Sequence, residues 1–392
     1  MRILIAPDHF GGALSAVHAA AALAAPWQQD DHDTIVRPMS DGGTGLVEVV
    51  HHARGGVLVP VNVPGAAGTD VPAAVLHVPG PGGGTAYIEP GAVLGGLGEA
   101  GATESQAAAG GSSAGVADLL HAAAQTGAGR IVVGLGTTPT HDGGAGMLAR
   151  LAELCTPSAA PPDPVWHALG PVRDRFARTD LVVAVARDTP LLGLHGAGAR
   201  LQRFGLSAAQ AQEVERRTAD LAHGAFDHAR TLPPLRTGLT GPDDVSGASD
   251  LSGPGSAYTG AGGGVGYMLG LLGARLLPGA GVVAGELALR EALATADLVL
   301  TGTASLDNDT MYEGVVATVG ELTADFGRPV VALAHEVMAN RRELANAGLS
   351  AAYPLIDRPL VPGRAPAPRA PLDPAEALRA RAARVMRNWT PR

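Results

Sequence analysis

Five aspartates each follow a short apolar run, and this spacing is the clearest chemical signal in the sequence. They are Asp8, Asp41, Asp142, Asp188 and Asp307. A short apolar run bounded by a turn is typical of a buried parallel strand, and ligands of open α/β sheets bind where the carboxyl ends of strands meet. We therefore expect the five carboxylates to converge on one crevice and to bind a metal ion or ligand hydroxyls. The alternative is that each aspartate only caps the next helix.

Two of these aspartates open Asp-Gly-Gly turns. Residues 131–147 predict a buried strand, a glycine-rich turn containing Asp142, and a helix that begins near Met147. Residues 34–45 repeat this order around Asp41. A turn of this kind presents backbone N–H groups at a helix N-terminus, where an anion binds well, and its glycines allow a ligand to approach the backbone closely. Both segments are candidate phosphate or carboxylate sites.

Composition and charge narrow the class of protein. The chain has 392 residues, 46% of them hydrophobic, a net charge of −9 and one cysteine, Cys155. This length favours two α/β lobes.

The negative charge and the absence of a basic run argue against nucleic acid as a partner, and no apolar run is long enough to suggest a membrane segment. Pro7, Asp8 and Gly11 interrupt the N-terminal apolar stretch, so we interpret it as a first strand and helix of a cytoplasmic protein rather than a signal peptide.

The basic residues are all arginine, because the sequence contains no lysine. A Walker A loop needs its lysine and is therefore excluded. Any bound phosphate must be neutralised by arginine, a metal ion or helix N-termini.

The order of these motifs resembles that of the bacterial glycerate kinases that act on D-glycerate with ATP. The resemblance runs from about residue 1 to 355. The segments that carry it are Ala6-Pro7-Asp8 with Leu14-Ser15-Ala16, Ser40-Asp41-Gly42-Gly43-Thr44-Gly45, Gly134-Leu135-Gly136 with Thr140-His141-Asp142-Gly143-Gly144, Asp188 with Pro190-Leu191-Leu192-Gly193, and Thr301-Gly302 with Asp307.

This resemblance implies a two-lobed α/β fold. Residues 1–56 and 285–358 would form a discontinuous, flavodoxin-like or Rossmann-like parallel-sheet domain, and residues 57–284 an inserted α/β domain. Beyond the resemblance, Pro/Arg/Ala-rich composition predicts a linker at 359–372, and Asp373-Pro374 with Glu376 predicts the start of a C-terminal helix at 373–389. This helix is expected to dock on its own protein or on a partner subunit, so a homo-oligomer is left open.

The resemblance also implies transfer of a phosphoryl group from ATP, with Mg²⁺, to a hydroxyl of D-glycerate or a related small hydroxy acid. The candidate catalytic residues are Asp188, Asp307 and Arg187, and Asp188 and Asp307 are also the candidate metal ligands. The candidate substrate- and phosphate-binding residues are Asp8, Ser15, Asp41, Gly42, Gly43, Thr140, His141, Asp142, Gly143, Gly144, Thr301 and Gly302.

Several positions depart from the family pattern. Where the family has Thr-Gly-Glu-Gly-Arg, this chain has Thr301-Gly302-Thr303-Ala304-Ser305, and the family's following Gly-Lys is replaced by Glu313-Gly314. Losing charged contacts to a phosphoryl group predicts slow turnover of glycerate unless another arginine replaces them, and Arg187 is the candidate. Two alternatives therefore remain: a kinase for a different hydroxy acid, or a weakly active or inactive member that binds ligands or regulates.

Overall fold

A computed structural model of the protein describes residues 1–95, 104–156, 160–233, 253–355 and 373–390. The predicted linker 359–372 lies outside these residues. The strands are β1 (Arg2–Ile5), β2 (Asp33–Val36), β3 (Val57–Pro64), β4 (Asp70–Val78), β5 (Thr85–Ile88), β6 (Arg130–Leu135), β7 (Asp180–Val185), β8 (Arg275–Pro278), β9 (Leu298–Leu306), β10 (Val330–Val337) and β11 (Ala351–Pro354).

The α-helices alternate with these strands through most of the chain. They are α1 (Ala16–Gln29), α2 (Leu46–Arg54), α3 (Gly91–Gly95), α4 (Glu104–Gly110), α5 (Ala114–Gln125), α6 (Ala145–Cys155), α7 (Leu169–Phe176), α8 (Ala208–Ala229), α9 (Val265–Leu271), α10 (Gly279–Glu286), α11 (Leu289–Thr295), α12 (Asn308–Tyr312), α13 (Val315–Ala324), α14 (Arg341–Asn346) and α15 (Pro374–Trp389).

The chain divides into two compact units. The first contains Met1–Asp41, Glu48–Arg54 and Ala280–Arg392, and the second contains Gly42–Val47 and Gly55–Gly279. The first unit holds a five-stranded sheet in the order β11-β10-β9-β1-β2, with parallel pairing throughout. Numbered within the unit this is the order 2-1-3-4-5 of flavodoxin-like folds. The predicted two-lobed α/β fold with a flavodoxin-like sheet is confirmed.

The core of the first unit forms where helices cover one face of this sheet. Apolar side chains of β1 and β9, such as Ile5 and Leu300, pack with Leu23 and Trp27 of α1. Leu378 and Val385 of α15 belong to the same cluster, so the C-terminal helix docks on α1 of its own chain. This is one of the two placements that the sequence predicted for that helix.

The second unit holds a six-stranded sheet in the order β3-β4-β5-β6-β7-β8. The pairs β3–β4 and β4–β5 are antiparallel, and the pairs from β5 to β8 are parallel. Strands β6 and β7 are buried along nearly their whole length, which is why they read as continuous apolar runs in the sequence. Among the described residues, no helix is long and apolar enough to cross a membrane.

Candidate active site

The carboxyl ends of β1, β2 and β9 bring two of the predicted acids together in the first unit. The segments that follow these strands remain paired by backbone hydrogen bonds. The Asp8 N–H donates to the Gly302 carbonyl at 2.8 Å, and the Met39 N–H donates to the Pro7 carbonyl at 2.8 Å. Asp8 follows β1, and Asp41 follows two residues after Met39. The parallel sheet therefore delivers both carboxyl groups to one edge.

Asp8 is a buried carboxyl group, with 7% of its surface exposed. Burial, and then the negative charge of Asp41, raise the pKa of Asp8 well above its ordinary value. The His9 N–H donates to Asp8 Oδ1 at 2.7 Å and opposes this shift. A carboxyl group whose pKa is raised by burial and by a neighbouring carboxylate is a recurring feature of acid–base sites.

Thr301 and Gly302 have structural contacts at the same edge. The buried Thr301 hydroxyl donates to the Ala6 carbonyl at 2.9 Å and ties β9 to β1. A Cβ atom on Gly302 would lie 2.6 Å from the Leu333 carbonyl oxygen and 2.8 Å from Phe10 Cζ, so no larger residue fits there. Thr301 and Gly302 therefore fix the backbone next to Asp8.

Two further candidates of the first unit cap helices. Asp307 Oδ1 accepts the Thr310 N–H at 3.0 Å at the start of α12. Ser15 caps α1, and its hydroxyl also donates to Glu48 Oε1 at 2.8 Å. Asp307 therefore makes the helix-capping contact that was the alternative explanation for the strand-end aspartates.

Asp142 in the second unit accepts four hydrogen bonds. Its Oδ2 accepts from the Ser113 N–H and hydroxyl, both at 2.8 Å, and from the Gly146 N–H at 3.0 Å. Its Oδ1 accepts from the Gly144 N–H at 2.9 Å. This carboxylate thus joins the start of α5 to the start of α6 and fixes the second Asp-Gly-Gly turn. Asp142 is a positioning residue, and Ser113 is a partner that sequence reasoning missed.

The residues just before Asp142 are buried. The Thr140 hydroxyl donates to the Leu94 carbonyl at 2.8 Å. His141 is 6% exposed, and burial lowers its pKa to about 4, so its imidazole is neutral at pH 7. Its Nε2 atom is buried and has no hydrogen-bond partner among the described residues.

A run of three glycines, Gly262–Gly264, packs against the second Asp-Gly-Gly turn. The Gly143 N–H donates to the Gly263 carbonyl at 3.0 Å. A Cβ atom on Gly263 would lie 1.8 Å from the Thr140 carbonyl oxygen, and one on Gly264 would lie 2.6 Å from the Gly143 Cα. These distances show that close backbone packing requires glycine in this run.

Gly42 and Gly43 of the first Asp-Gly-Gly turn belong to the second unit and lie against its own sheet. A Cβ atom on Gly42 would lie 2.9 Å from the Ala184 carbonyl oxygen of β7, and one on Gly136 would lie 3.6 Å from the Gly43 Cα. Glu89, which follows β5, accepts the N–H groups of Gly45 and Val47 at the start of α2. Within the second unit, these contacts place Gly42 and Gly43 beside the carboxyl ends of β6 and β7.

A narrow cleft opens at the same carboxyl ends, and we call it the arginine cleft. It is lined by Leu135, Gly136, Thr137, Thr138, His141, Val185, Arg187, Thr189, Ala197, Arg200, Leu201, Phe204, Gly260, Ala261 and Gly263. Arg187 was predicted as a site residue. No sequence motif marks Arg200, which a short 3₁₀ segment at Ala197–Phe204 carries to the cleft. Asp188 comes next after Arg187 and is exposed.

A second cleft, of about 340 Å³, also has His141 in its lining. Its lining includes Gly110–Ser112, Asp142 and Arg217. His141 therefore lines both clefts, and the second has the volume of a small-molecule site.

The predicted acids fall in both units. Asp8, Asp41 and Asp307 belong to the first, and Asp142 and Asp188 to the second. Convergence of all five on one crevice stays a prediction. Among the described residues, no group of three or more His, Cys, Asp or Glu side chains is arranged to hold a metal ion.

Comparison with known proteins identifies relatives along nearly the whole chain. A protein of Mycobacterium bovis without an assigned function is 34% identical over 91% of this chain and 84% of its own. Glycerate 2-kinase of Escherichia coli is 29% identical over 91% of each chain, and glycerate kinase of Bacillus subtilis is 28% identical over 93% of this chain and 92% of its own.

Structure and family comparisons agree with these relatives. A crystal structure assigned to glycerate kinase 2 of Salmonella typhimurium LT2 matches with a TM-score of 0.71 at 24% identity, covering 99% of this chain and 98% of that one, which establishes the shared fold. The model of the glycerate kinase family matches residues 3–390. The chain therefore belongs to the glycerate kinase family, which confirms the predicted family and the predicted kinase class of enzyme.

Proposed function

We propose that this protein is an ATP-dependent kinase that phosphorylates a hydroxyl of D-glycerate or of a related small hydroxy acid. The observation that carries the proposal is the family match over residues 3–390, together with relatives named as glycerate kinases. A cytoplasmic location, expected from the sequence, is part of the proposal.

In the proposed reaction an acceptor hydroxyl oxygen bonds to the γ-phosphorus of ATP. The bond from that phosphorus to the oxygen bridging to the β-phosphate breaks, ADP leaves, and the hydroxyl proton passes to a base. A general base works best when its pKa lies near the operating pH. Asp8 suits this role, because burial and Asp41 raise its pKa. This supports Asp8 as the proton acceptor.

Magnesium, when bound, would neutralise phosphate charge. It prefers oxygen ligands and usually takes one or two protein carboxylates, since phosphates and waters supply the rest. We propose Asp188 and Asp307 as these carboxylates, each acting within its own unit. Both are carboxyl groups beyond the end of a strand, Asp188 exposed and Asp307 half-buried, so the donor chemistry fits the ion.

The metal proposal predicts that ADP binding is stronger with Mg²⁺ and that Asp188→Asn or Asp307→Asn reduces this gain by about tenfold. The amide keeps the volume but removes the charge that holds the cation. Calorimetric titration of ADP with and without Mg²⁺ measures the effect. An affinity for ADP that is indifferent to Mg²⁺ and to both substitutions would contradict the metal proposal.

The activity itself is tested by ADP release in the presence of D-glycerate, L-glycerate, glycolate, lactate and hydroxymalonate. We expect turnover with at least one acid and none without an acid. Mass spectrometry of the product identifies the acid, and ³¹P spectra identify the phosphorylated hydroxyl. Absence of ADP release with every acid, while ADP still binds, would refute the kinase proposal in favour of a ligand-binding or regulatory protein.

One observation favours a changed substrate over D-glycerate. The segment that the resemblance places at a strand-end turn is instead a continuous part of β9, where Thr303 pairs with Ala334 and Ser305 with Glu336 of β10. It carries no charged side chain at positions 303–305, where the family pattern has Glu and Arg. The ratio of kcat/KM values across the acid panel decides between glycerate and a different hydroxy acid.

A further inference from the structure

Strand β3 forms one edge of the sheet in the second unit. It pairs with β4 in a continuous antiparallel register that runs from Val57 opposite His77 to Pro64 opposite Asp70. Within the described residues, no other strand pairs with β3. Such an edge presents a row of backbone N–H and C=O groups that a strand of another molecule can join.

The composition of β3 favours pairing of this kind. Its eight residues include four valines and a leucine and carry no charge, and β-branched side chains pair well in sheets. Val57 is 59% exposed and Leu58 is 44% exposed. A long apolar edge strand that reaches the surface is a typical place for two copies of a protein to associate.

A hydrogen bond just beyond β3 shows which of its backbone groups point away from β4. The Gly65 N–H donates to the Thr69 carbonyl at 2.8 Å, one step further in the same register. In an antiparallel pair, alternate residues direct both backbone groups to the partner strand, and the residues between them direct theirs away. The odd-numbered residues of β3 therefore bond to β4. The outward positions are Leu58, Pro60, Asn62 and Pro64.

Two of these four outward positions are proline, which has no N–H group. An incoming strand would find donors only at Leu58 and Asn62. Two of its carbonyl groups would then lose water without gaining a hydrogen bond, which opposes association. Both prolines stand where they leave the pairing with β4 intact and interrupt the free edge, the position that proline tolerates in a sheet.

We propose that Pro60 and Pro64 prevent β3 from pairing with β3 of a second copy of this chain. A second copy is the partner that fits, because an identical uncharged apolar strand can pair antiparallel with this one about a two-fold axis. The inference is independent of the proposed function, since no residue of β3 belongs to the candidate active site.

Sedimentation velocity of a Pro60→Thr/Pro64→Thr double variant tests the proposal, because both substitutions restore an outward N–H group. We expect its apparent mass to rise with protein concentration toward twice that of the unmodified protein. Asn62→Thr is the matched control: it places the same residue at an outward position that already has an N–H group, and it should sediment like the unmodified protein. Adding Asn62→Pro to the double variant removes a donor again and should reduce the association.

Hydrogen exchange locates the contact, and the amides of Leu58 and Asn62 should gain protection in the associated double variant. Protection gained only in other segments would overturn the proposal. A double variant that keeps its circular dichroism spectrum and sediments like the unmodified protein would also overturn it. Association of the Asn62→Thr control to the same extent would do so too, because the sheet preference of threonine would then be the cause. The single variants Pro60→Thr and Pro64→Thr decide the question if the double variant does not fold, and folded single variants without any association would refute the proposal.

Discussion

At the scale of single residues, Asp142 has a defined task that does not require a ligand. Its two oxygens accept four hydrogen bonds from N–H and O–H donors on two helices. Asp142→Asn would turn one acceptor into a donor facing other donors. We expect the free energy of unfolding to fall by about 2–3 kcal/mol, the range for hydrogen bonds to a charged group. Urea titration measures it, and a change below about 0.5 kcal/mol would contradict the assigned role.

Substitution of Asp8 should have the opposite effect on stability at pH 7, a gain rather than a loss. The pKa of Asp8 is raised in the folded state, so its contribution to stability is present below the ordinary value of 3.8 and is lost as the pH rises through the folded pKa. Asp8→Asn removes this loss. We predict that the variant is more stable than the unmodified protein at pH 7 and that the difference shrinks toward pH 4, while kinase activity drops. Thermal melting at several pH values provides the measurement, and a variant less stable at pH 7 would count against a strained, functional carboxyl group.

At the scale of elements, the glycine run 262–264 fixes the loop that carries His141 and Asp142. Gly263 has a φ of +62° and no space for a side chain next to the Thr140 carbonyl. Gly263→Ala should therefore cost more than the roughly 1–2 kcal/mol of a left-handed residue alone. Gly68→Ala is the control, since Gly68 has a φ of +84° with nothing within 4 Å of its Cβ position. Equal loss of stability in both variants would show that the close contact has no energetic weight.

The sequence predicted elements whose signals are local. Ser207 caps α8 and Asp373 caps α15, and such caps are local signals because the capping side chain and the N–H that it accepts are three residues apart. The parallel strands were recognisable from continuous apolar runs. Strand β9 continues past Thr301 and Gly302 to Leu306, because small and β-branched residues at 303–305 pair with β10 instead of turning.

The parts of the site that sequence reasoning missed depend on contacts between distant segments. Ser113 meets Asp142 across 29 positions, and Gly263 meets Thr140 across more than 100. Arg200 reaches the arginine cleft only through the path of its 3₁₀ segment. No spacing rule links such residues, so only the folded chain brings them together.

At the scale of the whole molecule, the C-terminal helix completes the core of the first unit. Leu378 of α15 is fully buried in the cluster with α1. Leu378→Ala should reduce the free energy of unfolding by about 2–5 kcal/mol, the usual range for a core leucine. Arg379→Ala, at an exposed position on the same helix, should stay within about 0.5 kcal/mol. Chemical denaturation of both variants tests this, and a neutral Leu378→Ala would contradict a core role for α15.

The first unit's sheet is made from both ends of the chain, and this has a consequence during synthesis on the ribosome. Roughly 260 residues separate the end of β2 from the start of β9. At translation rates of about 5–20 residues per second, β9 is synthesised roughly 13–50 s after β2. Strand β1 lacks its neighbour β9 for that time, and α15, which packs on α1, is synthesised later still. During that interval Leu23 and Trp27 lack the partners on β9 and α15 that help to bury them in the finished protein. The second unit is almost continuous in sequence, so it is free to fold while the N-terminal segment is still exposed to chaperones.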